Sequence, residues 1–415
     1  LPVARHSGSC VVAADFDRDG DLDLFVGGRI RPQSYPVGGR SQLLENRGGK
    51  FVDVTAQWAP QLAAVGMVNA AIWTDINQDQ LPDLVVVGEW MPITVWINKG
   101  KSLENQTEAM GLARTIGWWN SVQAGDFDQD GRVDLVLGNH GLNSRYATAH
   151  NQPVGIYWHD FAGVGNRNAI ITYTNNGEEY PIHPRDDLML QLPGLRKAYP
   201  YYTDYAKAKM KDLFPGDKLQ KASYRRLNEL RSMVLLNRGD RGWESKALPV
   251  EAQFAPVFGL QVADLDEDGS LDIVLTGNDH SYEVINGQID AMNGVFLRGD
   301  GRGNFVATQS GFHVPGDAKS LARLLLKDGS TLWLAAQNDG PLLMYRSPAA
   351  KTYQTIKAQP GEWKLSYKLP GGKTGIQELQ LGGGYLSGSS TVFYLPVNAE
   401  SAAILSVNGV SRKIK

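Results

Sequence analysis

The sequence predicts an all-β fold: a β-propeller of about seven blades with calcium-binding blade loops, a helical insertion and a small β-rich C-terminal segment. Three observations predict it. An acidic loop between two apolar stretches recurs four times along 415 residues. Each unit carries a tail in which a turn-forming Asn-x-Gly or Gly-Asp-Gly separates two further runs, as in LLENRGGKFVDVT and FLRGDGRGNFVATQ. The 46 glycines and 10 tryptophans are the mix of a turn-rich repeat protein, and 42% hydrophobic residues suffice for a large core.

The first loop reads DFDRDGDLDLFVGG from residue 15 and sets five aspartates within nine residues. Carboxylates so crowded repel one another, and a cation is the physical remedy. Asp15, Asp17, Asp19 and Asp23 fall at loop positions 1, 3, 5 and 9, with Gly20 at position 6, where a tight turn needs a permissive backbone. Together with the carbonyl of Asp21 at position 7 they offer hard oxygen ligands that suit Ca²⁺. An EF-hand would need glutamate at position 12, where Val26 stands, and the apolar run that follows reads as a strand instead of a helix.

The same spacing returns in DINQDQLPDLVVVG (Asp75, Asn77, Asp79, Asp83, with the carbonyl of Leu81), in DFDQDGRVDLVLGN (Asp126, Asp128, Asp130, Asp134, with Arg132) and in DLDEDGSLDIVLTGN (Asp264, Asp266, Asp268, Asp272, with Ser270). The second loop has Gln80 where the others have glycine and Asn77 where they have aspartate, so it is expected to bind more weakly or to take another ion. A fifth copy, HDFAGVGNRNAIITY, keeps Asp160 and Gly165 but has Ala162 and Val164 at ligand positions, and is expected to keep its strand without a metal. Loop-free strand pairs in MVLLNRGDRGWESKALP and LARLLLKDGSTLWLAAQNDGPLLMY bring the count to about seven units.

These residues resemble the FG-GAP or VCBS repeats, the calcium-loop repeats also found in integrin α-subunit propellers. More narrowly, GSCVVAADFDRDGDLDLFVGGRIRPQSYP, GNHGLNSR and AQFAPVFGLQVADLDEDGSLDIVLTGN are similar to surface or secreted VCBS-repeat proteins of the Bacteroidota, and GYLSGSSTVFYLP resembles the ASPIC/UnbV-type segment that follows such propellers. The resemblance implies a seven-bladed propeller with Ca²⁺ in several blade loops, exported from the cytoplasm. It names no ligand.

The propeller is expected over residues 1–349 and the β-rich segment over 350–415. A helical insertion is expected at about 182–233, with apolar residues at helical intervals (Leu219, Ala222, Leu227, Leu230) and Thr203 and Asp217 as N-caps. Its tyrosines and basic residues either anchor the helices to the blades or form a docking surface. Trp73, Trp90, Trp96, Trp118 and Trp119 read first as wedges between blades and second as a sugar-stacking platform.

A net charge of −3 without a basic cluster argues against nucleic acid, no apolar run is long enough to span a bilayer, and Cys10, the single cysteine, allows no intrachain disulfide. A start at Leu1 is read as a processed form or a piece of a larger chain or complex. No Gly-x-Ser-x-Gly elbow or His-Glu-x-x-His pair occurs, GGKTG at 371–375 reads as a hairpin turn, and the His183, Arg185, Asp186 grouping is too loose for a catalytic cluster. No enzyme is therefore expected. The expected function is a calcium-stabilised extracellular module that binds a protein or glycan at the cell surface. A carbohydrate-active enzyme with a channel site and a purely structural domain stand as alternatives.

Overall fold

The computed structural model describes residues 2, 6–146, 153–281, 287–383 and 388–415. The chain is mostly β. Its first sheet joins Ser7–Ala14, Asp23–Ile30, Gln42–Arg47 and Lys50–Asp53 as an antiparallel meander. The second joins Met67–Thr74, Asp83–Met91, Thr94–Asn98 and Leu103–Asn105, and the fourth joins Val257–Ala263, Asp272–Gly277, Val295–Gly299 and Phe305–Thr308. The third pairs Ser121–Gly125 with Asp134–Gly138 and then, after a long excursion, with Met233–Asn237 and Trp243–Ala247. A fifth sheet has three strands, Ala318–Leu325, Thr331–Gln337 and Leu343–Ser347.

First strands of successive sheets neighbour one another in chain order, from the first sheet to the fifth. The second, third and fourth sheets each lie between two others, and the second strand of the second sheet, DLVVVGEWM, is buried along its whole length. Core residues gather between sheets. Trp73 and Trp96 pack with Phe16 and Phe25 between the first and second, and Trp119 packs with Val122 and Leu135 between the second and third. Trp90 and Trp118 lie in a further buried cluster with Tyr146 and Ile156.

Three sequence expectations change here. The segment HDFAGVGNRNAIITY is not a unit in the series: Val154–His159 and Asn168–Asn175 form, with Glu178–Pro181 and Ser223–Leu227, a separate sheet inserted into the third one between Gly138 and Met233. The segment MVLLNRGDRGWESKALP supplies the outer strands of the third sheet and is no unit of its own. Five sheets thus stand in series among the described residues. The insertion is also less helical than its periodicity suggests. Its longest helix is Arg185–Gln191, and Ser223–Leu227 pairs in register with Val154–Trp158, where ladder hydrogen bonds outweigh the helical spacing of Leu219 and Leu227. Thr203 lies inside the turn Tyr202–Tyr205 and Asp217 makes no capping bond; its carboxylate pairs instead with Lys221 at 2.6 Å.

At the C-terminal end, Tyr353–Lys357 pairs with Val392–Pro396, beside a four-stranded sheet of Thr374–Glu378, Glu362–Lys368, Ser401–Ser406 and Ser411–Lys413. Leu365, Phe393 and Ile404 form its own core. GGKTG makes the turn between two of its strands. Residues 384–387, which open GYLSGSSTVFYLP, lie outside the described residues. The residues on either side of 384–387 reach the first strands of four sheets. Ala13 N–H donates to Leu381 O at 3.0 Å, Ala124 N–H to Gln380 Oε1 at 3.4 Å, Ser389 Oγ to Gln261 Oε1 at 3.2 Å and Ser390 N–H to Arg323 O at 2.9 Å.

Candidate metal centres

Each acidic loop joins the first and second strands of its sheet, and the register closes at the same place every time: Ala14 opposite Asp23, Thr74 opposite Asp83, Gly125 opposite Asp134 and Ala263 opposite Asp272. Position 9 is thus the first residue of the second strand. One hydrogen-bond set repeats with it. The position-1 carboxylate accepts from the position-6 amide in all four loops, at 2.9 Å for Asp15 and Gly20, 3.0 Å for Asp75 and Gln80, 3.0 Å for Asp126 and Gly131 and 2.8 Å for Asp264 and Gly269.

The position-9 aspartates, all fully buried, accept with one oxygen from the position-2 amide and with the other from the third strand: Asp23 from Phe16 and Asn46, Asp83 from Ile76 and Asn98, Asp134 from Phe127 and Asn237, Asp272 from Leu265 and Gly299. These residues lock the loop to its sheet. Position 6 has positive φ throughout: +101° at Gly20, +85° at Gly131, +90° at Gly269, and +68° at Gln80, which bears a side chain there at a cost of about 1 kcal/mol.

Three loops bring carboxylate oxygens within 4.8 Å of one another, close enough to share an ion: Asp15, Asp17 and Asp19; Asp126, Asp128 and Asp134; Asp264, Asp266 and Asp272. Asp15 Oδ1, Asp21 Oδ1, Asp75 Oδ1 and Asp128 Oδ1 are buried without a hydrogen-bond partner, and in the first and third loops such an oxygen stands in a carboxylate cluster, so a cation fits the residues present there. Asp19 and Asp130 stand at the rim, and the carbonyl position 7 holds Asp21, Leu81, Arg132 and Ser270. Burial, with neighbouring carboxylates adding to it, pushes Asp15 up to about 6, Asp23 to about 7, Asp126 to about 6, Asp134 to about 7 and Asp272 to about 6. Arginines answer part of this charge. Arg238 pairs with Asp128, and Arg298 reaches Asp266 at 2.5 Å and Asp268 at 2.8 Å.

The second loop is built differently. Lys364, from the C-terminal sheet, sets its ammonium 2.7 Å from Asp75 Oδ2 and 3.0 Å from Glu378 Oε1, with all three side chains buried. Glu378 in turn accepts from Thr74 Oγ1 at 2.6 Å and from Asp75 N–H at 3.2 Å. A tethered cation therefore sits against the position-1 carboxylate here. Asn77 and Asp79 bond to each other at 2.9 Å, and Asp83, buried with an upward-shifted carboxyl of about 8, is held by the backbone.

Sequence reasoning missed position 4. Arg18, Gln78, Gln129 and Glu267 all have φ near +60°, and each side chain leaves its own loop, the first three for the next loop. Arg18 Nη2 donates to Gln80 O at 2.7 Å, Gln78 Nε2 to Gly131 O at 2.6 Å and Gln129 Nε2 to Gly269 O at 2.9 Å, while Glu267 accepts from Lys351 and Thr352 at the entry to the C-terminal segment. The loops form a chain, each tied to the position-6 carbonyl of its successor. A long polar residue at the same place in every loop was the available signal.

Other candidates carry no centre. Asp160 accepts from three amides of its own turn, Gly163, Val164 and Gly165. His183 is buried, and its Nε2 accepts from Ile171 N–H at 3.3 Å, while Arg185 holds Asp186 and the carbonyl of Tyr199. Cys10 is buried and its thiol is pushed up to about 11 by desolvation.

Strand, oxygen-rich loop and strand, repeated with one hydrogen-bond set, define a class of acidic-loop repeat. The comparisons give it a name: residues 15–86 and 75–137 match the family model of the FG-GAP-like repeat. The chain therefore carries FG-GAP-like repeats over its first three loops; the fourth, at Asp264, shares their hydrogen bonds. No curated protein matches the chain. Among solved structures, the V. cholerae biofilm matrix protein Bap1 is 13% identical with a TM-score of 0.30, over 99% of this chain and 59% of that one. The chain thus spans less than two thirds of that protein's length.

Proposed function

We propose that the chain is a calcium-stabilised binding module of the FG-GAP propeller kind, working outside the cytoplasm and recognising a protein or glycan. The observation that carries the reading is the repeated loop with orphaned, buried carboxylate oxygens. Ca²⁺ in the first, third and fourth loops would neutralise carboxylates whose mutual repulsion opposes folding, and so couple metal binding to the order of the sheets. The second loop carries Lys364 in that role. Sheets in series, with packed first strands and loops chained on one side, support a propeller arrangement of blades around the C-terminal residues 380–383 and 388–391. The similarity of the N-terminal and C-terminal motifs to secreted VCBS-repeat and ASPIC/UnbV-type proteins supports the extracellular assignment.

The test has two arms. Thermal melting in millimolar Ca²⁺ and in chelator reads the metal, with a clear fall in Tm expected on chelation. A glycan array screened under both conditions reads the partner. Calcium-dependent binding to a defined sugar supports the module; an unchanged Tm in chelator overturns its metal basis.

A further inference from the structure

A cavity of about 360 Å³ lies between the C-terminal sheets and the first strands of the third, fourth and fifth sheets, within the size range of small-molecule sites. Arg323, on the first strand of the fifth sheet, lines it. Its guanidinium carbon stands 4.7 Å from the Tyr394 ring centroid and 5.9 Å from that of Trp333. The Arg323 backbone is fixed on both sides, its N–H donating to Ser389 Oγ at 3.2 Å and its carbonyl accepting from Ser390.

Among the described residues the guanidinium itself makes no ion pair and donates to no acceptor, whereas Arg29, Arg40, Arg132, Arg238 and Arg298 each hold a carboxylate. Burial pulls its pKa down from the ordinary value without an acid to hold it up. Such a group stays charged, and its planar fork of donors is left facing a cavity. Two more groups share its condition. Gln123, 9% exposed on the first strand of the third sheet, lines the cavity with no hydrogen bond to its amide among the described residues. The Tyr394 hydroxyl is buried without a partner. Polar groups without partners, converging on one cavity, are the signature of a site that a ligand completes.

We propose that this cavity binds a monocarboxylate bearing hydroxyl groups, of the hexuronic acid class, with its carboxylate on Arg323. A guanidinium fork takes a carboxylate in a bidentate pair, and an amide beside it suits a ligand hydroxyl. The remaining walls limit the charge. Asp126, Asp264, Glu267 and Glu378 also border the cavity, with Lys373 as its one other cation; Glu267 and Glu378 are already held by Thr352 and Lys364, so Arg323 is left for one ligand carboxylate, and further negative charge on the ligand would be repelled. The inference rests on the reading of the chain as a binding module and supplies the ligand class that reading leaves open.

The experiment titrates the full chain, in Ca²⁺, with methyl β-D-glucuronide and with methyl β-D-glucoside, following heat and the fluorescence of Trp333 against a Trp333→Phe control. The glucuronide is expected to bind at least about tenfold more tightly than the neutral glucoside. Arg323→Gln is expected to abolish that preference, Arg323→Lys to keep part of it, and Gln123→Ala to weaken both sugars by severalfold. All variants should keep the calcium-dependent melting of the parent, which separates loss of this site from loss of the fold or of the metal reading. Equal binding of the two sugars, no binding of either, or an Arg323→Gln variant that keeps the preference would each overturn the proposal.

Discussion

Replacing Lys364 by methionine tests whether the second loop is held by a tethered cation. The Lys364 ammonium lies 2.7 Å from Asp75 and 3.0 Å from Glu378, and the three side chains are 9%, 0% and 3% exposed. At an effective dielectric constant of about 20 each contact is worth about 6 kcal/mol of gross attraction, most of which offsets the desolvation of three ions. Removal of the ammonium leaves two carboxylates buried side by side, and breaking such a group by one partner costs about 3–5 kcal/mol. Lys364→Met should therefore lower the urea midpoint strongly in chelator. Added Ca²⁺ should restore much of the loss, because Asp75 and Glu378 then present an oxygen pair to the loop with no resident cation. Pairing the change with Glu378→Gln should cost less than the single substitution, since one of the two stranded charges goes with it. A Lys364→Met unfolding free energy within about 0.5 kcal/mol of the parent would refute the argument.

Three further outcomes follow from the loops. The buried aspartates with folded values raised to about 6–7 take up protons more readily in the folded state than in the unfolded one, so without metal their burial penalty is relieved in mild acid. The Tm in chelator should accordingly fall as pH rises from about 5 to 8, and Ca²⁺, which needs the ionised carboxylates, should give its largest rise in Tm at the upper end; a Tm in chelator that rises with pH contradicts this. Gln80→Gly should stabilise the second loop by about 1 kcal/mol, read as a higher midpoint, because φ at +68° is relaxed for glycine while the amide bond to Asp75 is kept. Asp134→Asn should cost about 2–3 kcal/mol by equilibrium unfolding in chelator, since its two oxygens accept from Phe127 and Asn237 and the substitution turns one acceptor into a donor, and should cost more in Ca²⁺, where the third loop also loses a charged ligand.

The loops were legible because their chemistry is local. Position 1, position 6 and position 9 stand at fixed distances along the chain, and the hairpin register at Ala14 and Asp23 is the same in every copy. The sheets were legible where strand, turn and strand are contiguous. What the sequence could not show is which distant strands share a sheet. Met233–Asn237 belongs with Asp134–Gly138 across almost a hundred intervening residues, and nothing in MVLLN says so. The helical spacing of Leu219, Leu227 and Leu230 misled for the same reason: periodicity records which residues are apolar, while the pairing of Ser223–Leu227 with Val154–Trp158 is a long-range event.

Lys364 and position 4 show how such distant contacts change the meaning of a local motif. The second loop lacks the glycine and one aspartate of its siblings, and by sequence alone those departures read as a weakened metal site. In the fold they accompany a lysine delivered from 289 positions away, which makes the loop the place where the C-terminal sheet is fastened to the series. Arg18, Gln78 and Gln129 then carry that fastening from loop to loop through the position-6 carbonyls. A change at one loop is transmitted to its neighbours by these bonds, so single-loop variants should alter the calcium response of adjacent loops. Gln129→Ala, which cuts the bond to Gly269 while leaving every carboxylate in place, should lower the calcium affinity of the fourth loop in isothermal titration by severalfold, the loss of one neutral hydrogen bond. Affinities unchanged at all sites would mean that each loop binds on its own.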